Sequence, residues 1–173
     1  MQLLRRHRRN GFSAIEIIVV LLIISIFSAF AVISYRSYRS QAKISTASQK
    51  VESVLSTARA LSINQNTPHQ VYFDLDSEHF WIDELDRTGN VVKPKITGET
   101  WLPEGVVFSH IQKNIFPYTS GVVTVRFNPN STSEYITVYI IGENSDTSEE
   151  GNYYSIRVYP STGLTHTYKK QRL

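Results

Sequence analysis

The sequence predicts an α+β protein in which a long N-terminal helix packs on a C-terminal antiparallel β domain. Three observations predict this fold class. An uncharged apolar run covers residues 17–35, a stripe of apolar residues with helical spacing follows it, and short segments with strand-like alternation occupy the chain after Pro68. The 173-residue length leaves room for one modest domain beyond the helix.

The charge distribution separates the first eleven residues from the rest of the chain. Residues 1–11 contain four of the 18 basic residues and no acidic residue, which leaves 14 basic against 15 acidic residues in the remainder. The net charge of +3 therefore reflects the basic N-terminus more than a nucleic-acid partner. The chain has no cysteine, so it has neither a disulfide framework nor a thiol nucleophile.

Residues 12–35 are predicted to form the transmembrane half of the helix. As a helix, the 19 uncharged residues at 17–35 would span about 28 Å, close to the hydrocarbon thickness of a bilayer. The arginines on the N-terminal side predict that this end remains cytoplasmic. We therefore expect a single-pass membrane protein whose C-terminal domain lies on the other side of the membrane.

Residues 36–63 are predicted to form the amphipathic half of the same helix. Apolar residues recur there at three- and four-residue steps: Ile44, Ala47, Val51, Val54, Leu55, Ala58 and Leu61. No proline or glycine interrupts residues 12–65. We expect one helix over residues 12–63, about 78 Å long, ended by polar turn formers and by Pro68.

Residues 68–173 are predicted to form the antiparallel β domain, with its sheet packed on the apolar stripe. Segments rich in Val, Ile, Tyr and Phe alternate with turn signals, which is typical of short strands. A single strand is predicted at 105–109, and the acidic residues 143–151 are expected to form a mobile surface loop. Three hairpins are predicted, with strands at 70–74 and 79–82, at 122–127 and 135–141, and at 153–159 and 164–168.

Three interpretations compete for the N-terminal segment. The first is a plain membrane anchor. The second is a secretory signal peptide cut after Ala31, because residues 29–31 have the small-x-small pattern of a cleavage site. The third rests on GFSAIE at residues 11–16, which resembles the cleavage and methylation motif of type IV pilins and type II secretion pseudopilins. That resemblance implies a prepilin leader, residues 1–11, removed after Gly11 by a prepilin peptidase that also N-methylates Phe12.

Glu16 distinguishes these interpretations. A carboxylate near the bilayer interior costs a few kcal/mol on insertion scales, so it needs a partner. A mature chain that starts at Phe12 has an amine about 6 Å along the helix axis from Glu16. The resemblance implies that Glu16 pairs with the N-terminal amine of a neighbouring subunit. The alternative is that Glu16 only complements the helix dipole in its own first turn.

The chain beyond the leader resembles the GspH/FimT group of minor pseudopilins and minor pilins. The resemblance rests on ARALSI at 58–63, LPEGV at 102–106, VRFNP at 125–129 and the hairpin at 156–163. It implies a pilin-like fold and a structural subunit that helps to initiate or cap a type II secretion pseudopilus or a type IV pilus. The implied partners are other pilin or pseudopilin subunits, the prepilin peptidase and an inner-membrane assembly platform. The implied location is the bacterial inner membrane, with the β domain periplasmic.

DNA binding is the alternative function. The tail contains Lys169, Lys170 and Arg172 beside aromatic residues, a composition typical of phosphate-contacting surfaces. The resemblance implies a Gly-Arg-x-Arg-like motif in the DNA-binding FimT-type pilins. The matching residues 163–166 read GLTH and lack both arginines.

We expect no enzymatic activity, no cofactor and no metal site. The histidines His7, His69, His79, His110 and His166 lie on separate predicted elements without metal-ligand spacing. No nucleophile elbow or phosphate-binding loop is present. An acidic cluster could attract calcium, but it lacks a glycine-centred ligand loop, and we interpret it as a solvated hairpin rim. Its members are Asp74, Asp76, Glu78, Asp83, Glu84 and Asp86.

Overall fold

A computed structural model of the chain describes residues 13–143 and 153–169, with side chains placed throughout these ranges except at 29–38 and 40. It contains one helix, α1, at Ala14–Gln65, and ten strands in the described part. The strands are β1 His69–Asp74, β2 His79–Leu85, β3 Val91–Lys93, β4 Thr100–Trp101, β5 Val106–Lys113, β6 Phe116–Tyr118, β7 Val122–Phe127, β8 Ile136–Gly142, β9 Tyr153–Val158 and β10 Thr165–Lys169.

The chain divides into two units between Tyr38 and Arg39. Among the side chains that the structure describes, no helical stretch is both long and apolar enough to cross a membrane. The predicted transmembrane half, residues 12–35, lies partly outside those side chains and stays a prediction. The predicted acidic loop at 143–151 falls almost entirely outside the described residues.

The strands form two antiparallel sheets rather than one. Sheet A has the order β3-β2-β1-β7, with the short β4 paired to the other end of β2. Sheet B has the order β10-β9-β8-β5-β6. The predicted α+β class, the β1–β2 hairpin and the β9–β10 hairpin are confirmed. Strands β3, β4 and β6 were not predicted, because each has only two or three residues and most of those residues are exposed.

The predicted hairpin between 122–127 and 135–141 is wrong. Both strands exist as β7 and β8, but β7 pairs with β1 in sheet A, whereas β8 pairs with β5 and β9 in sheet B. An isolated bridge joins Phe127, the last residue of β7, to Ser133, which lies three residues before β8. The turn between them closes on itself, since the Asn128 amide donates to the Thr132 carbonyl at 2.9 Å. A turn therefore forms at 128–132, as the sequence predicted. The chain passes through this turn from sheet A to sheet B and does not form a hairpin within one sheet.

The apolar stripe of α1 lies in the core that both sheets share. Ile44, Ala47, Val51, Leu55 and Ala58 are each at most 1% exposed, and Val54 and Leu61 pack against them. The inward residues of β1 and β2 alternate as the sequence pattern predicts. Phe73 of sheet A meets Phe108 of sheet B edge to face, with ring centroids 5.8 Å apart. The helix stripe thus packs on the β domain as expected, but in a core that two sheets share rather than against one sheet.

Gly163 lies where the β9–β10 turn meets α1. Its φ is +61°, a left-handed conformation that glycine adopts without a Cβ penalty. A Cβ there would lie 2.9 Å from the Ser131 carbonyl oxygen and 3.2 Å from Cδ of Arg59. The adjacent Thr162 carbonyl accepts a 2.7 Å hydrogen bond from Nε of Arg59. This turn is therefore held between the helix and the 128–132 turn.

Replacing Gly163 with alanine should lower the free energy of unfolding by about 2–4 kcal/mol, because backbone strain and a backbone clash add. Gly105 provides the matched control, since its φ is +81° but nothing lies within 4 Å of a Cβ there. Gly105→Ala should cost only about 1–2 kcal/mol. Denaturant unfolding of both variants measures the difference. Equal losses would contradict the tight packing described at Gly163.

Candidate functional site

The first turn of α1 contains Glu16, the predicted assembly residue. Ser13 precedes the helix, and its backbone N–H donates to Oε2 of Glu16 at 3.4 Å. The N–H of Glu16 in turn donates to the Ser13 carbonyl at 3.0 Å. The Ser-x-x-Glu spacing and the return of the glutamate side chain to the N-cap amide are half of a capping box. Glu16 therefore has a partner within its own chain.

The side chains around Glu16 are apolar and exposed. Ile15 is 69% exposed, Ile17 is 51% exposed and Ile18 is 62% exposed. Contiguous apolar surface on this scale marks a face that lipid or partner proteins cover. Gly11 and Phe12, the predicted cleavage and methylation residues, lie outside the described residues, so both modifications stay predictions.

Of the three predicted DNA-contact residues, Lys169 is in the described part of the chain, on the edge strand β10 of sheet B. Lys169 is the last residue of β10 and is exposed. Lys170 and Arg172 lie outside the described residues. The five strands of sheet B contain no acidic residue. Arg157 of β9 lies over the Tyr168 ring, with its guanidinium carbon 5.8 Å from the ring centroid.

The acidic cluster is distributed over several turns rather than gathered in one place. Within the described ranges, no group of three or more histidine, aspartate and glutamate side chains is arranged to hold a metal ion. Asp74 accepts the amides of Asp76 and Ser77 at 3.0 and 3.1 Å, which closes the β1–β2 turn. Asp83 accepts the Lys95 amide at 2.7 Å, and Glu84 pairs with Lys93 at 2.9 Å.

Two members of this cluster have altered pKa values for different reasons. Hydrogen bonds from Thr88 and Asn90 lower the pKa of Asp86 to about 2. Burial raises the pKa of Glu78 from its ordinary value, although the Phe108 amide that donates to it at 2.8 Å opposes the shift. Glu78 thus links the β1–β2 turn of sheet A to β5 of sheet B, which is a structural task.

The four described histidines do not converge. His69 is fully buried, with Nδ1 3.0 Å from the Thr67 carbonyl. His110 stacks on Tyr139 with centroids 4.1 Å apart, and burial lowers its pKa. The pKa of His110 is therefore lower in the folded chain than in the unfolded chain. Because of this difference, His110 destabilises the fold as the pH falls below about 6.5. His79 lies on sheet A and His166 on sheet B.

Comparisons with known proteins identify the fold. No protein-family model matches the chain, and no curated protein matches it by sequence. Among solved structures, the minor pseudopilin EpsH from the type II secretion system of Vibrio cholerae superposes with a TM-score of 0.60 at 12% identity, over 77% of this chain and 98% of that one. The type IV minor pilin FimU of Pseudomonas aeruginosa superposes with a TM-score of 0.53 at 11% identity, over 76% and 92%. The chain has a pilin-like fold. The suspected resemblance to minor pseudopilins and minor pilins is thus confirmed at the level of fold.

Polar residues beside the helix stripe attach α1 to the β domain of this pilin-like fold. Nζ of Lys43 donates to the Glu104 carbonyl at 2.9 Å, and the Thr167 hydroxyl donates to Oε2 of Glu52 at 2.7 Å. Together with Arg59 on Thr162, these bonds reach three separate segments of the β domain. In the sequence, Lys43, Glu52 and Arg59 fall off the apolar stripe of the helix. Their partners lie 61 to 115 residues away, so no local pattern could reveal them.

Proposed function

We propose that the chain is a minor pseudopilin or minor pilin, a structural subunit that helps to initiate or cap a type II secretion pseudopilus or a type IV pilus. The likeness to EpsH and FimU over about three quarters of the chain is the observation that supports it. The proposed role is structural rather than catalytic. The proposed location is the bacterial inner membrane, with the N-terminus cytoplasmic and the β domain periplasmic.

Assembly requires a processed N-terminus in this proposal. A prepilin peptidase cuts after Gly11 and methylates Phe12, which leaves a cationic amine about 6 Å along the helix from Glu16. An unpaired carboxylate is costly in lipid, whereas an ion pair with good geometry offsets much of that cost. Glu16 of an incoming subunit then pairs with the amine of a neighbouring subunit at the inner-membrane assembly platform. The exposed isoleucines around Glu16 support such packing between helices.

Glu16 could instead serve only to accept the hydrogen bond from the Ser13 amide in its own chain. Two substitutions distinguish this capping role from the intersubunit ion pair. Glutamine at this position keeps an acceptor for the Ser13 amide but removes the charge. If Glu16 pairs with a neighbour's amine, Glu16→Gln and Glu16→Ala should both leave cleavage intact and reduce filament incorporation about tenfold or more, since a charge-assisted hydrogen bond is worth about 1.5–3 kcal/mol.

Incorporation is measured by the fraction of the protein that co-purifies with sheared filaments. Glu104→Gln is the control, because it removes one exposed carboxylate from the β domain and should assemble normally. Normal incorporation of Glu16→Gln together with poor incorporation of Glu16→Ala would contradict the intersubunit pair and leave only the helix cap. Normal incorporation of both variants would reject any assembly role for Glu16.

DNA binding through Lys169, Lys170 and Arg172 is the second candidate function. It is supported by the absence of acidic residues from the strands of sheet B, on whose edge Lys169 lies. Duplex DNA should bind the full-length protein in non-ionic detergent, and the affinity should fall steeply with salt. Replacing all three residues with alanine should make the fall of log affinity with log salt less steep, by about 2–3 in the magnitude of the slope. Lys93→Ala on sheet A should leave the slope unchanged. Salt-insensitive binding, or none, would reject this function.

A further inference from the structure

Four aromatic rings stack in a continuous array on the outer face of sheet A. Tyr72 stacks on Trp81 with centroids 5.2 Å apart and planes 4° apart. Trp81 stacks on His79 at 5.1 Å, and His79 stacks on Trp101 at 4.5 Å. We call these four residues the ring array. It uses both tryptophans of the chain.

Strand register explains how the ring array forms. Tyr72 pairs with Trp81 across β1 and β2, and His79 pairs with Trp101 across β2 and β4. Directly paired side chains on one face of an antiparallel sheet have Cβ atoms about 4.5–5.5 Å apart, which suits ring stacking. The opposite face of β1 and β2 buries Phe73 and Phe80. The core therefore has its own aromatic residues, and the ring array adds no buried apolar side chain to it.

Trp101 is the open end of the ring array. It stacks on His79 on one side, yet it is 54% exposed, because β4 is a two-residue edge strand. An exposed indole face attracts cations through its quadrupole, more strongly than tyrosine or phenylalanine does. The ring array already holds one cation in this way, since Nζ of Lys95 lies 5.4 Å from the Trp81 centroid.

Carboxylates border the ring array on both sides. His79 lies between them, with Nδ1 3.9 Å from Asp74 and Nε2 3.9 Å from Glu99. Lys95 forms an ion pair with Glu99. Two carboxylates, Asp74 and Glu99, therefore lie beside the ring array together with one ammonium group, that of Lys95.

We propose that the Trp101 end of the ring array is a docking site for a basic segment of a partner protein. An arginine or lysine of that segment stacks on the free indole face while the carboxylates of Glu99 and Asp74 attract its charge. The same carboxylates repel nucleic-acid phosphates, and they offer a neutral sugar ring hydrogen bonds but no attraction between opposite charges. The site lies wholly within the β domain and does not depend on filament assembly or on the role of Glu16.

The test uses a blocked tetra-arginine peptide and the full-length protein in non-ionic detergent at low salt. Because both tryptophans lie in the ring array, the peptide should change the intrinsic fluorescence. Calorimetric titration should show Trp101→Leu weakening the binding about fivefold. Phe116→Leu is the matched control, because Phe116 is 61% exposed on the edge of sheet B and should leave the affinity unchanged. Thermal unfolding checks that each variant is folded.

Glu99→Gln is the second variant, since it leaves the indole in place and should still weaken binding about twofold to fivefold at low salt. A tetraglutamate peptide should not bind. The proposal is overturned if the arginine peptide causes no fluorescence change, or if Trp101→Leu and Phe116→Leu bind it equally. It is also overturned if a neutral oligosaccharide or single-stranded DNA binds the ring array more tightly than the peptide does.

Discussion

Burial of the apolar stripe of α1 in the core that both sheets share is the constraint on which the rest of the β domain depends. Sheet A contributes Phe73 and sheet B contributes Phe108 to the same core. Leu55 is fully buried there, and Ile44 is 1% exposed. Burial of one such side chain stabilises a fold by about 1.5–3 kcal/mol. The hydrogen bonds of Lys43, Glu52 and Arg59 then fix where along the helix the sheets attach, because each needs one defined partner.

The parts of this fold that could be predicted from the sequence are those marked by a periodic pattern of apolar residues over a short stretch. The 3.6-residue period revealed the stripe, and the two-residue period revealed strands such as β1 and β7, because burial on one face imposes each period. The sequence did not reveal which sheet a strand joins. The 128–132 turn looks like a hairpin turn, yet β8 pairs with β5 and β9 because the inward faces of β7 and β8 cover the core from opposite sheets. That choice depends on long-range packing, which no short window contains.

The candidate sites show the same division between local and long-range signals. Glu16 could be singled out from sequence, because a charge inside an apolar run is anomalous wherever the chain folds. The capping bond to Ser13 was foreseen only as a dipole effect in the first turn. The ring array could not be predicted, since it joins Trp101 to His79 across an edge strand that is too short to show alternation. The acidic cluster shows that closeness in sequence does not make a site. Its members accept hydrogen bonds from different segments, since Asp74 binds its own turn and Asp83 binds the Lys95 amide.

The central claim of this account is that proteolysis creates a positive N-terminus beside Glu16. Intact-mass measurement of the protein purified from its native membrane, with sequencing of its N-terminal peptide, tests this claim most directly. The account predicts a chain that begins at N-methylated Phe12 and retains the whole apolar run. A chain that begins at Val32 would contradict it, because Glu16 would be lost with a signal peptide. A chain that retains residues 1–11 would contradict it equally, since no amine would then lie near Glu16.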